Sequence, residues 1–88
     1  MAAEIDERTQ YDWFAIGKAY ESKGELQNAI NAYEQAIKLD PKLAKAWFYK
    51  AKLHHKLKQM EEAKDAARKT LQLEPGWEKH IRKFLPDL

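Results

Sequence analysis

A stride of 34 residues relates the two halves of this 88-residue chain. Five features recur at that separation: Trp13-Phe14 and Trp47-Phe48, Ala29 and Ala63, Ile37 and Leu71, Leu39 and Leu73, and Pro41 and Pro75. So many coincidences at one offset indicate a duplicated structural unit. A unit of this length cannot cover its own apolar surface, so neighbouring units must stack on each other.

The first unit is predicted to contain two helices, because its apolar residues follow helical spacing. One stripe is Trp13, Ile16, Gly17 and Tyr20, and the next is Leu26, Ala29, Ile30, Tyr33, Ala36 and Ile37. Thr9 followed by Asp12 resembles a capping box that begins the first helix. Gly24 is suited to the left-handed turn that ends it. The second helix stops before Pro41, since proline disfavours a helical conformation in the preceding residue.

The second unit repeats the pattern with Trp47, Ala51, His54, Met60, Ala63, Ala67 and Leu71. Lys58 stands where the first unit has Gly24, so this turn has lost its permissive residue. After Pro75, a last stripe predicts a fifth helix that ends near Pro86, formed by Trp77, Ile81, Phe84, Leu85 and Leu88. No alternating run of β-branched residues occurs. The chain is therefore predicted to be all-α.

The first unit resembles the tetratricopeptide repeat at Trp13, Ile16, Gly17, Tyr20, Gly24, Ala29, Tyr33, Ala36 and Pro41. The second keeps Trp47, Ala51, Ala63, Leu71 and Pro75, and departs from the pattern at Lys50, His54, Lys58, Ala67 and Thr70. The resemblance implies a right-handed α-solenoid of antiparallel helix pairs, five helices in all. It divides the chain into an N-terminal extension (1–9), two repeat units (10–43 and 44–77) and a capping helix (78–88). Proteins of this family act as adaptors.

In such a stack the first helix of each unit lines a concave groove, and the capping helix adds to it. The peptide-binding groove is then expected to consist of Tyr11, Phe14, Lys18, Lys45, Phe48, Tyr49, Lys52, His55, Lys79, Arg82 and Lys83. Glu21 is the single acid among them. Aromatic rings beside cations suit a short peptide with apolar side chains and carboxylates. The alternative is that the rings pack against neighbouring helices and the lysines only confer solubility.

Some members of the family grip the carboxylate-ended tails of chaperones with Lys and Asn side chains. Lys79 and Lys83 stand where two of those cations belong. However, Phe14, Lys18 and Tyr49 occupy positions that usually carry Lys, Asn and Asn. We therefore do not expect a chaperone tail as the ligand.

Other features of the sequence bear on catalysis and location. The chain has no Cys, which excludes disulfides and thiolate chemistry. His54 and His55 are adjacent on one helix, so their side chains diverge by about 100° and cannot share a metal ion. We expect no enzyme activity, cofactor or metal. No run approaches the ~18 apolar residues of a membrane span, and the acidic start lacks the features of a signal peptide. A cytoplasmic protein without membrane contact is expected.

Two other functions remain open. Residues 1–43 carry a net charge of −3 and residues 44–88 one of +5. The basic half, with Phe48 and Tyr49, would allow weak binding of single-stranded nucleic acid, although the acidic first unit opposes it. The first helix has no preceding unit to cover it. Ile5 is expected to cover that edge; otherwise the edge near Tyr11 would pair with a second copy.

Overall fold

The computed structural model describes residues 6–88, and this part of the chain consists of helices joined by turns, without strands. Five α-helices follow one another: α1 (Gln10–Ser22), α2 (Leu26–Leu39), α3 (Ala44–Lys56), α4 (Met60–Leu73) and α5 (Glu78–Arg82). One 3₁₀ turn, Pro75–Trp77, precedes α5. The predicted all-α solenoid is confirmed. None of these helices combines the length and the apolar character that crossing a bilayer requires.

The predicted beginning of α1 is confirmed. The Thr9 hydroxyl accepts a hydrogen bond from the Asp12 backbone N–H at 3.2 Å, and the Thr9 N–H donates to the Asp12 carboxylate at 2.8 Å. This reciprocal pair is the capping box expected from the sequence. Gly24 ends α1 with a φ of 78°. Lys58 adopts the same left-handed conformation, with a φ of 62°, so the second turn keeps its shape although the glycine is gone.

Helices α1 and α2 pack as a pair, and so do α3 and α4. The first pair approaches most closely at Gly17, where the ring of Tyr33 lies over the α1 backbone. A Cβ atom placed on Gly17 would lie 2.5 Å from Cε1 of Tyr33. Ala29 and Ala36 on α2 are fully buried. The small residues on the predicted stripes therefore lie where the helices touch.

The two pairs are joined between α2 and α3. The Trp47 indole N–H donates to the Pro41 carbonyl at 2.8 Å. Lys50 pairs with Glu34 of α2, with Nζ and Oε2 3.3 Å apart. Lys50 is one of the positions at which the second unit departs from the repeat pattern, and here it forms an ion pair between the two repeats.

Two apolar clusters form the core. The first consists of Ala29, Ile30, Tyr33 and Leu53, with Phe14, Tyr20, Leu26 and Tyr49 packed on it. The second consists of Phe48, Ala51, Ala63, Ala66, Ala67, Ile81 and Leu85, with Trp47, Tyr49, Leu71, Trp77, Phe84 and Leu88 packed on it. Tyr49 contacts both clusters and so links the repeats. His54 is buried, and its Nδ1 lies 2.6 Å from the Gln59 amide oxygen, so one ring nitrogen is satisfied.

The last helix is shorter than expected. α5 ends at Arg82 rather than near Pro86, and residues 83–88 continue as turns. The Leu85 N–H still bonds to the Ile81 carbonyl at 2.8 Å, but Pro86 disfavours a helical conformation at the residue before it. Ile81 and Leu85 are both buried against the second repeat. The segment thus covers that repeat with less helix than the sequence pattern suggested.

Candidate functional site

Three aromatic rings from three different helices meet beside α1. Phe14 (α1), Tyr33 (α2) and Tyr49 (α3) have ring centroids 5.4 to 5.8 Å apart, within the range of favourable aromatic pairs. Tyr33 is fully buried, while Phe14 and Tyr49 are half-buried. We call these three residues the aromatic triad. Its two outer rings, Phe14 and Tyr49, are partly accessible to solvent.

Three lysine ammonium groups lie over these rings. Lys18 Nζ is 4.0 Å and Lys52 Nζ 4.7 Å from the centroid of Tyr49. Lys45 Nζ is 4.7 Å from the centroid of Phe14 and 5.7 Å from that of Tyr11. Each distance falls within the ~6 Å range of cation–π attraction. We call Tyr11, Phe14, Lys18, Lys45, Tyr49 and Lys52 together the lysine–aromatic surface. All six were expected in the groove, and the structure brings them together.

One carboxylate is built into this surface. Glu21 Oε2 lies 3.3 Å from Lys52 Nζ, and Glu21 Oε1 accepts a hydrogen bond from the Tyr33 hydroxyl at 2.8 Å. Burial, together with the Glu21 carboxylate, raises the pKa of the Tyr33 hydroxyl above its ordinary value, so Tyr33 remains a donor. Within residues 6–88, neither Lys18 nor Lys45 has an ion-pair partner. In the lysine–aromatic surface, these two ammonium groups are therefore not neutralised by a carboxylate of the described residues.

Phe48 does not lie on the open surface where it was expected. Its ring stacks on Trp77 and is surrounded by His80 and Phe84, which leaves Phe48 only 7% exposed. The C-terminal segment folds across α3 at this point, because its own apolar residues need cover. This corrects the groove, since Phe48 is a core residue of the second repeat.

The other expected groove residues lie around the C-terminal segment. His55 is half-buried, and its ring centroid is 5.3 Å from that of Phe84. Arg82 donates to Glu78 at 2.7 Å and to the Pro86 carbonyl at 3.1 Å, so its guanidinium is held within the segment. Lys79 and Lys83 are exposed. In the described part of the chain none of these cations makes a cation–π contact with the aromatic triad.

A cleft of about 290 Å³ extends the lysine–aromatic surface at Lys45. It is lined by Tyr11, Asp40, Lys42, Leu43, Ala44, Lys45, Glu74 and Trp77. Tyr11 is 58% exposed beside it. Apart from Tyr11 and Lys45, sequence reasoning did not assign these residues to the site. They come from two stretches of the chain, 40–44 and 74–77, that are at least 30 positions apart in the sequence, and no local pattern signals that they meet.

A second, larger cleft of about 520 Å³ lies between α1 and α2, lined by Trp13, Tyr20, Asn28, Asn31, Ala32 and Gln35. The Arg8 guanidinium carbon is 5.0 Å from the centroid of Trp13. This cleft bears on self-association, because it exposes apolar surface of the first repeat. Ile5, expected to cover that edge, lies outside the described residues.

Comparison with known families agrees with this architecture. One family model, described as TPR repeat, matches residues 13–58, and another, described as Tetratricopeptide repeat, matches residues 44–77. No curated protein matches the chain with statistical support. Repeats of this family typically serve as protein–protein interaction modules and not as enzymes. With two helix pairs, a fifth helix and a family match over more than half of its length, the chain belongs to the tetratricopeptide repeat family.

Proposed function

We propose that this protein binds a short peptide segment of a partner protein, one in which carboxylates alternate with apolar side chains. The observation that carries the proposal is the position of Lys18 and Lys45, whose ammonium groups lie over Tyr49 and Phe14 without a carboxylate partner in residues 6–88. An aromatic ring holds an ammonium group in place without neutralising its charge as a carboxylate would. Such a group favours a carboxylate that arrives with an apolar neighbour.

The peptide's carboxylates would pair with Lys18 and Lys45. An apolar side chain would enter the cleft beside Lys45, where Tyr11 and Trp77 supply aromatic surface. Apolar burial contributes about 25 cal/mol per Å², and a desolvated charge-assisted hydrogen bond about 1.5–3 kcal/mol. Two or three such anchors correspond to a Kd on the order of micromolar once the cost of association is subtracted.

The proposed contacts at the C-terminal segment are secondary. Lys79 and Lys83 are exposed there and would meet a longer acidic peptide, with Arg82 and His55 beside them. Phe48 is no longer part of the proposed site because its ring is buried under Trp77. The proposed site is therefore the lysine–aromatic surface with its adjoining cleft.

Fluorescence anisotropy with two labelled synthetic peptides tests the proposal. One is a nine-residue peptide that alternates Glu and Leu, and the other replaces every Glu by Gln. We expect a Kd on the order of micromolar for the Glu peptide and binding at least about tenfold weaker for the Gln peptide. The double change Lys18→Glu with Lys45→Glu should abolish the preference for the Glu peptide.

The matched control is the double change Lys38→Glu with Lys64→Glu. It changes the net charge by the same amount as the test variant, but on α2 and α4. This control should retain the affinity for the Glu peptide. Equal weakening by both double changes would mean that the peptide responds only to overall charge. That result, or no binding of the Glu peptide at all, would refute the proposed site.

Self-association is a second candidate, supported by the open cleft around Trp13 and Tyr20. A pair of copies would bury apolar surface that one copy leaves open. Sedimentation at two protein concentrations tests it, and a constant monomer mass at both would exclude it.

Binding of single-stranded nucleic acid has less support once the structure is known than it had from the sequence alone. Phe48, one of the two rings proposed to stack on bases, is buried, so the stacking platform is reduced to Tyr49. Binding of an oligothymidine whose affinity falls with salt at a slope near −0.7 per phosphate contact would favour this function over a peptide.

A further inference from the structure

The carboxylate of Glu21 is held by two groups that come from other helices. Glu21 lies in the last turn of α1, the Tyr33 hydroxyl reaches it from α2, and the Lys52 ammonium reaches it from α3. The Glu21 side chain is only 12% exposed, whereas Glu34, which also pairs with a lysine at 3.3 Å, is 46% exposed. The Glu21 carboxylate is thus more shielded from solvent than the Glu34 carboxylate.

The three partners of this contact differ in their freedom to move. Tyr33 is fully buried, and its ring packs between Phe14 and Tyr49, so its hydroxyl keeps its place. The Lys52 side chain is 30% exposed and its ammonium also lies over Tyr49. Lys52 is therefore the member that is able to turn outward to an incoming anion.

We infer that Glu21 is an internal competitor for the ligand's carboxylates, and that its pairing with Lys52 limits how tightly the surface binds an acidic segment. The inference rests on the proposed function. A ligand carboxylate that uses Lys18 or Lys45 meets a free ammonium, whereas one that uses Lys52 must first displace Glu21. The chain thus carries on α1 the same chemical group that the partner is proposed to supply.

The replacement Glu21→Gln isolates this competition. The Gln side chain keeps an amide oxygen that accepts the Tyr33 hydrogen bond, but it removes the charge that holds Lys52. We expect Glu21→Gln to tighten binding of the Glu and Leu peptide about threefold to fivefold, the range of a part-exposed ion pair. Binding of the Gln and Leu peptide should not change, because it has no carboxylate for Lys52.

Glu34→Gln is the matched control. It makes the same change in charge and frees Lys50 from a contact of equal length, but this contact involves no residue of the lysine–aromatic surface. The affinity should then equal that of the unmodified chain. The double change Glu21→Gln with Lys52→Gln also removes the ammonium that Glu21→Gln sets free, and it should lose the gain of about threefold to fivefold that the single change gives.

Circular dichroism establishes that each variant is folded, and Glu21→Asp serves if Glu21→Gln does not fold. Asp keeps the charge but is one methylene shorter, so it should give a smaller gain in the same direction. If the unmodified chain binds the Glu peptide and no replacement of Glu21 tightens it, the inference is wrong while the proposed function stands. An equal gain in Glu34→Gln would also overturn it. If neither the unmodified chain nor any variant binds the peptide, both fail.

Discussion

The ring of Phe48 stacks on the indole of Trp77, with centroids 4.5 Å apart and an angle of 28° between the planes. This contact attaches the C-terminal segment to α3 and places Phe48 in the second apolar cluster. Phe14, the residue 34 positions earlier, is covered by no such segment among residues 6–88 and is half-buried. Two phenylalanines at equivalent places in the repeat therefore have different roles, one in the core and one at the proposed site.

Replacing Phe48 with Ala should lower the free energy of unfolding by about 3–5 kcal/mol, the usual cost of removing a buried phenylalanine ring. The stacked contact between Phe48 and Trp77 would be lost, and the segment from Pro75 onward would lose one of its contacts with α3. Urea unfolding followed by circular dichroism measures this. Tyr11→Ala is the control, because Tyr11 is 58% exposed and its loss should change stability by no more than about 0.5 kcal/mol. Equal effects of the two changes would contradict the stacked position of Phe48.

The parts of the fold that follow from local chemistry were predictable from the sequence. The Thr9 capping box, the left-handed Gly24 and the stop before Pro41 each depend on residues a few positions apart, and each is present. The fifth helix was predicted to end near Pro86, and it ends four residues earlier, at Arg82.

The arrangement of the candidate site was only partly predictable. The 34-residue repeat predicted which residues form the lysine–aromatic surface, because equivalent positions of α1 and α3 lie on the same face of the stack. The repeat did not predict that Phe48 is buried. Phe48 is covered by Trp77, which lies 29 residues later in a segment whose path depends on tertiary packing. Glu21 was recognised as the single acid, but its contacts with Tyr33 and Lys52 join residues 12 and 31 positions away. Periodicity within one helix carries no information about such contacts.

Gly17→Ala should destabilise the protein although alanine is the better helix former. The new Cβ would lie 2.5 Å from Cε1 and 2.7 Å from Cδ1 of Tyr33, and that ring cannot move because it is fully buried. Overpacking of this kind costs about 1–3 kcal/mol, against a gain of about 1 kcal/mol in helix propensity. A net loss in the thermal midpoint is expected.

The control for this change is Gly76→Ala in the 3₁₀ turn, where nothing lies within 4 Å of the added atom. Its thermal midpoint should stay close to that of the unmodified chain. A Gly17→Ala protein as stable as the Gly76→Ala protein would show that α1 and α2 do not approach as closely as described.

Lys58→Gly should stabilise the protein by about 0.5–1 kcal/mol. Lys58 has a φ of 62°, a conformation that costs a residue with a side chain roughly 1–2 kcal/mol, and glycine recovers most of this after its greater unfolded-state entropy is subtracted. Lys56→Gly, two residues earlier at the last residue of α3, removes an equal charge and should instead destabilise, by at most about 0.5–1 kcal/mol. Urea midpoints that move in the same direction for both changes would exclude the backbone explanation.

Tyr33→Phe should change how stability depends on alkaline pH. Burial and the Glu21 carboxylate raise the pKa of Tyr33 above its ordinary value of 10.0, so above about pH 10 the unfolded chain ionises this tyrosine before the folded chain does. The stability due to Tyr33 is therefore present in full below pH 10 and declines as the pH rises, by up to about 1.4 kcal/mol per pH unit.

At neutral pH the Phe variant should be the less stable protein, because it lacks the hydrogen bond to Glu21. That deficit should shrink between about pH 9 and pH 11, since only the unmodified chain loses the Tyr33 contribution.

Phe14→Leu serves as control: it alters a ring that packs against Tyr33 but removes no proton-binding group, so its deficit should stay constant with pH. Urea midpoints across this range measure both, and a Tyr33→Phe deficit as constant as that of Phe14→Leu would mean that Tyr33 ionises as readily in the folded chain as in the unfolded one.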